Sequence, residues 1–144
     1  MALAIGVIPD DVRTLLIRIQ NDLFDVGADL CTPVVDEPKM EPLRVIQSQV
    51  DALEVAIDRY NAELASLRSF VLPGGTKEAA LLHVARTVSR RAERCTWAAI
   101  HAFGGGVNPL TAKYLNRLSD LLFVLARYAN RSVGDELWVP GANR

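Results

Sequence analysis

Cysteine, excess charge and long apolar runs are all scarce in this chain of 144 residues. Its two cysteines, Cys31 and Cys95, lie far apart without CxxC or Cys/His spacing, which argues against a zinc site and a disulfide scaffold and predicts free thiols. The formal net charge of -1 gives no reason to expect a nucleic-acid or membrane partner. The apolar stretch from Met1 to Ile8 is shorter than the ~20 residues that span a bilayer and lacks a basic flank, so we expect a cytoplasmic protein.

The composition indicates a folded protein. Half of the residues are hydrophobic and 23% are charged, which is typical of one compact domain, here taken as residues 1–144. We find no alternating strand pattern and no internal repeat. The fold class that this predicts is all-α, an antiparallel helix bundle.

Four segments have helical periodicity. They run from Pro9 for about five turns, from Ser48 to about Ala65, from Lys77 to Phe103 and from Pro109 to about Asn130. The connections carry the prolines and glycines, including three prolines between residues 32 and 42 and a Pro-Gly-Gly-Thr turn at residues 73–76.

The third helix has two different faces. One is apolar and is predicted to be its core stripe, consisting of Leu81, Val84, Ala85, Val88, Ala92, Cys95 and Ala99. Arg86, Arg90 and Glu93 fall on the opposite side, with His83 and Arg94 at the edge of the same arc. Since basic residues exceed acidic ones between Lys77 and Arg94, this face is a candidate anion site.

Two interpretations of the arginine face remain open on pattern alone. Arg86 and Arg90, one turn apart, have the planar donors that grip neighbouring phosphate oxygens, and Glu93 is placed to steady one of them. The alternative is an ordinary solvated helix face with ion pairs three and four residues apart.

Polar residues also share a face of the last helix, opposite its leucine stripe of Leu115, Leu118, Leu122 and Leu125. They are Asn116, Asp120, Phe123 and Arg127, and they predict a polar wall that confronts the arginines. Asn116 is suited to a phosphate or a ribose, or else is a surface or cap amide.

Two further residues have competing interpretations. His83 has no serine or cysteine nucleophile in a recognisable motif nearby, so a packing or hydrogen-bonding role is favoured over acid–base catalysis. Phe70, beside the Pro-Gly-Gly-Thr turn, presents a flat side chain to a ligand or plugs the end of the bundle. That turn lacks the GxxxxGK[ST] spacing of a phosphate loop.

Three blocks in order resemble the PduO-type ATP:cob(I)alamin adenosyltransferases. They are Ser69-Phe-Val-Leu-Pro-Gly-Gly-Thr76, Leu82-His-Val-Ala-Arg-Thr-Val-Ser-Arg-Arg-Ala-Glu-Arg94 and Tyr114-Leu-Asn-Arg-Leu-Ser-Asp-Leu-Leu-Phe123. The resemblance extends from Val12 to Trp138. It implies an enzyme built as a five-helix bundle, assembled as a homotrimer with active sites at the subunit interfaces.

The same resemblance implies roles for individual residues. ATP, with Mg²⁺ on its phosphates, would be bound by Arg90, Arg91, Glu93, Arg94 and Asn116, and the protein itself would supply no metal site. Arg90 and Arg86 would be the catalytic residues, with Arg86 paired to an aspartate of a neighbouring subunit. Phe70 would lie under the corrin of cobalamin, displace its lower ligand and ease reduction of Co(II). Cobalt(I) would then attack the 5′ carbon of ATP and release triphosphate, which needs no nucleophile from the protein.

One family feature has no counterpart in this sequence. The resemblance implies an N-terminal Thr-Arg-Thr-Gly-Asp-type loop around the ATP phosphates, followed by a helix whose end corresponds to the stretch from Met1 to Gly6. Its absence keeps two alternatives open, a non-catalytic helical module that binds cobalamin or ATP, and a nucleotide-binding regulator. Delivery of the product to a cobalamin-dependent mutase is a further possibility that the sequence leaves open.

Overall fold

The computed structural model describes residues 8–144, so the stretch from Met1 to Gly6 lies outside the described residues. It contains four α-helices, α1 (Asp10–Leu30), α2 (Gln47–Asn61), α3 (Lys77–Phe103) and α4 (Pro109–Ala129), and a 3₁₀ turn at Gly104–Gly106. The predicted all-α class and the order of the four helices are confirmed. None of the helices within residues 8–144 is long and apolar enough to cross a membrane.

Contacts at the two ends of the bundle fix the helix directions. At one end Asp11, in the first turn of α1, accepts hydrogen bonds from Arg59 (2.7 Å) and Tyr60 (3.0 Å) in the last turn of α2. At the other end Asp29 of α1 accepts a 2.7 Å bond from Asn108, the N-cap of α4. Helices α2 and α4 therefore run antiparallel to α1.

Helix boundaries follow from local capping. The Thr76 hydroxyl accepts from the Ala79 amide at 3.2 Å, and the Asn108 side chain accepts from the Leu110 amide at 3.0 Å. Ser48 was predicted to begin the second helix, but α2 begins one residue earlier and ends at Asn61 instead of Ala65. At this helix start the Ile46 amide donates a 3.1 Å hydrogen bond to the side-chain oxygen of Gln49, and not to the side chain of Ser48.

The proline-rich connection between α1 and α2 is tied to a buried carboxylate. Asp29 accepts hydrogen bonds from the Arg44 guanidinium (2.6 Å) and the Val45 amide (2.8 Å). Arg44 also donates to the carbonyl oxygens of Thr32 (2.5 Å) and Pro33 (3.0 Å). A buried charge is tolerated when several donors satisfy it, so this cluster fixes both ends of the connection.

Helix α4 is the centre of the bundle. Its leucine stripe is buried as predicted, and Tyr114, which is also fully buried, donates from its hydroxyl to Asp22 of α1 at 2.9 Å. Helices α2 and α3 pack along α4, and α1 touches it as well. The other three helices therefore all contact α4, and their side chains come together over it.

The core stripe predicted for α3 is wrong. Val84 is 59% exposed, Val88 is 47% exposed and Cys95 is exposed, whereas Leu82, Ser89 and Glu93 are buried. The helix is rotated so that part of its polar face packs on α4. The apolar stripe instead lines an open groove of about 390 Å³ between α1 and α3, which has the α4 leucines as its floor.

Candidate active site

Glu93 joins the two predicted polar walls. Its carboxylate is 5% exposed, forms an ion pair with Arg90 of α3 and accepts a 3.0 Å hydrogen bond from the Asn116 amide of α4. Asn116 in turn accepts from Arg117 at 2.9 Å. The structure therefore brings Arg90, Glu93 and Asn116 together, with the arginine side chain 45% exposed.

A cavity of about 450 Å³ opens over this network. It lies between α2 and α3, above α4, and its lining combines carboxylates, cations, amides and one indole, from Gln47, Val50, Glu54, Glu93, Trp97, Lys113, Asn116 and Arg117. Such a mixed lining matches a polar ligand with a flat ring better than it matches a purely apolar one. Sequence reasoning missed Trp97, Lys113 and Glu54, although Trp97 falls one turn after Glu93 on the same side of the helix.

Arg91 and Arg94 lie elsewhere. Both are exposed on α3 and, like Arg90, neither lines the cavity over Glu93. At 100° per residue Arg91 is turned about 160° from Glu93 and Arg94 about 100°, so both side chains begin from the outward side of the helix. Three of the five predicted ATP ligands are thus clustered, and two are not.

A second cavity, of about 640 Å³, surrounds Phe70. The ring is 77% exposed and meets the Trp138 ring edge to face, with centroids 5.8 Å apart. Arg86 and Phe123 line the opposite part of the cavity, together with Leu67, Arg68, Ser69, Val71 and Pro140. A large exposed aromatic at a cavity mouth is available to a flat ligand, so Phe70 does not plug the bundle end.

Backbone pairing holds Phe70 and Trp138 side by side. The Trp138 amide donates to the Phe70 carbonyl at 2.8 Å, and the Leu72 amide donates to the Glu136 carbonyl at 2.8 Å. The Ser69 hydroxyl adds a 2.6 Å bond to the Trp138 carbonyl. The C-terminal segment therefore forms one wall of this cavity, a contribution that no sequence motif indicated.

Asn130 clamps the turn that follows Phe70. Its buried side-chain oxygen accepts from the Thr76 amide at 2.9 Å, and its side-chain nitrogen donates to the Gly74 carbonyl at 3.1 Å. Gly75 has φ of +89°, and a Cβ at this position would overlap the Asn130 amide. The turn thus needs glycine at residue 75 for both backbone and space.

Arg86, His83 and Phe123 form a compact group beside this cavity. The Arg86 guanidinium carbon lies 6.0 Å from the centroid of the Phe123 ring, and the His83 ring lies edge to face with it at 6.2 Å. His83 is 2% exposed, and burial, followed by the positive charge of Arg86, lowers its pKa below the ordinary value. The imidazole is therefore neutral at neutral pH and is packed inside the bundle, as its favoured interpretation required.

Arg127 was predicted to belong to the polar wall, but it is buried and engaged. Its Nε donates to Asp135 at 2.9 Å, and its Nη2 donates to the Ala65 carbonyl at 2.7 Å. It ties the segment after α2 to the C-terminal segment. Of the other wall residues, Asp120 pairs with Arg117 at 3.4 Å, and Asn116 and Phe123 each line one of the two cavities.

The two cysteines line neither of these cavities. Cys31 and Cys95 are free and exposed. Within residues 8–144, no group of three or more His, Cys, Asp or Glu side chains is placed to hold a metal ion.

The comparisons with known proteins all point to the same family. The sequence model of the family described as cobalamin adenosyltransferase matches residues 1–129. A corrinoid adenosyltransferase of Mycobacterium tuberculosis is 60% identical over 99% of this chain and 74% of its own length. A corrinoid adenosyltransferase of Bacillus subtilis is 42% identical over 87% of this chain and 62% of its own length.

Solved structures agree with the sequence relatives. A variant of a PduO-type ATP:corrinoid adenosyltransferase from Lactobacillus reuteri, complexed with cobalamin and ATP, superposes with a TM-score of 0.86 at 36% identity, covering 96% of this chain and 75% of that one. A second variant of that enzyme, complexed with ATP, gives a TM-score of 0.81 at 35% identity, covering 96% and 77%.

Proposed function

Because the chain belongs to the family of PduO-type cobalamin adenosyltransferases, we propose that it transfers the 5′-deoxyadenosyl group of ATP to cob(I)alamin, giving adenosylcobalamin and triphosphate. The observation that carries the proposal is the placement of two cavities along one side of α3. The first contains Glu93 and Asn116, and the second contains Phe70 and Arg86. Arg90 lies between them, one turn from Arg86.

The polar cavity suits the nucleotide. Glu93 and Asn116 offer an acceptor and an amide for a ribose. In this proposal Arg90, which pairs with Glu93, binds the phosphates. Arg91 and Arg94 are further phosphate ligands in this proposal. Since they lie on the outward side of α3, they approach ATP from a different side than Arg90 does.

The aromatic cavity suits the corrinoid. Phe70 and Trp138 present two rings at its mouth, where an exposed flat surface stacks against a macrocycle. In this proposal Phe70 takes the lower face of the corrin in place of the ligand that cobalamin carries there, which leaves Co(II) easier to reduce. Arg86 lines the same cavity and offers a planar guanidinium to it.

In this reaction the protein has to position the two substrates and to stabilise the negative charge on the leaving group. The electron pair of Co(I) forms the bond to the 5′ carbon, and the bond from that carbon to the triphosphate oxygen breaks, so the leaving group departs with its electrons. Negative charge grows on the triphosphate, and Arg90 is placed to stabilise it. Within residues 8–144 no group of three or more His, Cys, Asp or Glu side chains could hold a metal ion, and Mg²⁺ would reach the site on the phosphates of ATP, as part of that substrate.

Assembly completes the proposal. We propose a homotrimer with the sites at subunit interfaces, in which Arg86 pairs with an aspartate of a neighbouring protomer. Large exposed apolar side chains, among them Phe24 and Phe103, are consistent with contact surfaces. Light scattering coupled to size-exclusion chromatography tests whether the protein is a trimer. Whether a cobalamin-dependent mutase is a partner is tested by measuring transfer of the bound adenosylcobalamin to that mutase.

Single-turnover adenosyl transfer tests the function. ATP and Mg²⁺ are added to chemically reduced cobalamin, and the absorbance change of the corrinoid is followed with this chain and with a chimera. The chimera adds the portions of the Mycobacterium tuberculosis relative that the match does not cover. Activity in either protein supports the proposal, and activity in the chimera alone assigns part of the site to the added portions. If this chain and the chimera are both folded but inactive, the result would favour the non-catalytic binding module.

A further inference from the structure

Four buried polar side-chain atoms have no hydrogen-bond partner within residues 8–144. They are both ring nitrogens of His83, Nε of Arg86 and Oδ1 of Asp135. Orphaned polar atoms are rare inside proteins because each one loses its bonds to water on folding. Of the three residues, Arg86 lines the cavity around Phe70, so the group begins at that cavity.

The four atoms complement one another. A neutral imidazole has one N–H donor and one nitrogen acceptor, the guanidinium Nε–H is a donor, and a carboxylate oxygen is an acceptor. The charges that face His83 are Arg86 from α3 and Asp135 from the C-terminal segment. Arg127 of α4 already binds the other oxygen of Asp135 at 2.9 Å, which leaves Oδ1 for a different donor.

We propose that His83 is a positioning residue that links Arg86 to Asp135. Since none of these atoms has a hydrogen-bond partner in the structure, buried water completes the link. The Arg86 Nε–H donates to a water that donates to one imidazole nitrogen, and the N–H of the other nitrogen donates to a second water that donates to Asp135 Oδ1. Both donors and both acceptors are then satisfied, and Arg127 continues the chain through the second oxygen of Asp135.

The link joins two walls of the cavity assigned to the corrinoid. Arg86 and Phe123 form the inner wall, while Asp135 belongs to the segment that carries Trp138. Its consequence for catalysis rests on the proposed function, because Arg86 must stay aligned in a site that the corrinoid fills. The link requires a neutral His83, since a protonated ring has two donors and would turn one of them toward Arg86.

Nitrogen NMR of the imidazole tests the link without any activity assay. The chain has only two histidines, so the signals of His83 are assigned by comparison with His101→Gln. We expect a single neutral tautomer whose N–H signal moves in Asp135→Asn. Rapid averaging of both tautomers, or ordinary titration near pH 6.5 in the unmodified chain, would overturn the link, and this result decides even if the Asp135 variant does not fold.

Kinetics then test the positioning role. In whichever protein is active, His83→Leu should lower kcat about tenfold while the KM for ATP stays within about twofold. His83→Gln keeps one donor and one acceptor and should restore most of kcat, and His101→Leu is the matched control. Equal losses in the Leu and Gln variants would overturn the role. A chain that neither binds nor adenosylates the corrinoid would refute the proposed function, while the NMR result would still decide the link.

Discussion

Glu93 of α3 and Asn116 of α4 are joined by a 3.0 Å hydrogen bond across the main helix interface of the bundle. The same carboxylate holds Arg90, so one buried acid sets the position of two groups from different helices. This arrangement places the cation at the surface with its orientation fixed from below. A preorganised cation of this kind is more effective at stabilising a growing negative charge than one that must first be ordered.

Arg90→Ala should lower the affinity for ATP or the rate of adenosyl transfer. Since a charge-assisted bond to phosphate contributes about 1.5–3 kcal/mol, we expect a loss of roughly tenfold to a hundredfold in kcat/KM. Single-turnover kinetics and ATP calorimetry measure the two effects separately. Arg131→Ala, which removes an exposed cation at the far end of α4, is the control. Unchanged kcat/KM in Arg90→Ala would refute its assigned role.

Phe70→Ala should impair the corrinoid half of the reaction and leave ATP binding intact. Because the ring is 77% exposed and, within residues 8–144, stacks on no aromatic ring other than that of Trp138, its removal should cost little stability. Electron paramagnetic resonance of bound cob(II)alamin reports the coordination of cobalt, and calorimetry reports the ATP affinity. Met40→Ala, which removes a similarly exposed apolar side chain in the connection between α1 and α2, is the matched control. Parallel loss of both activities would indicate a purely structural role for Phe70.

Gly75→Ala should destabilise the turn below Phe70, and Gly74→Ala should not. At residue 75 a positive φ and overlap with Asn130 together predict a loss of about 1–3 kcal/mol, whereas a Cβ at residue 74 meets open space. Urea unfolding of the two variants measures the difference in free energy. Equal midpoints for the two would show that Asn130 does not clamp this turn.

Stability should fall as the pH is lowered through the range in which His83 titrates. The folded pKa lies below the ordinary value because of burial and Arg86, so the unfolded chain binds a proton first. The free energy of unfolding is therefore expected to be highest above about pH 7 and to decrease as the pH drops through about 6.5 toward the folded pKa. Thermal unfolding between about pH 7.5 and 5.5 should show this slope in the unmodified chain and in His101→Gln. Persistence of the same slope in His83→Gln would assign it to other groups.

The sequence by itself determined the helices and the family. Proline, glycine and capping residues mark where helices start and stop, so α3 and the beginning of α4 were predicted to the residue, and the blocks around Phe70, Arg90 and Asn116 were sufficient to identify the relatives. Local capping energies and short-range motifs are properties of neighbouring residues, which is why they are visible in the sequence.

Only the tertiary structure decided how those helices are turned and what lies beside the site. Apolar periodicity predicted that Val84 and Val88 are core, yet packing on α4 buries Ser89 and Glu93 instead, because a buried carboxylate is tolerated once Arg90 and Asn116 satisfy it. Trp138 and Asn130 are distant in sequence from Phe70 and Thr76, which they contact. Their roles depend on how the chain returns to the start of α3, and no local pattern encodes such a return.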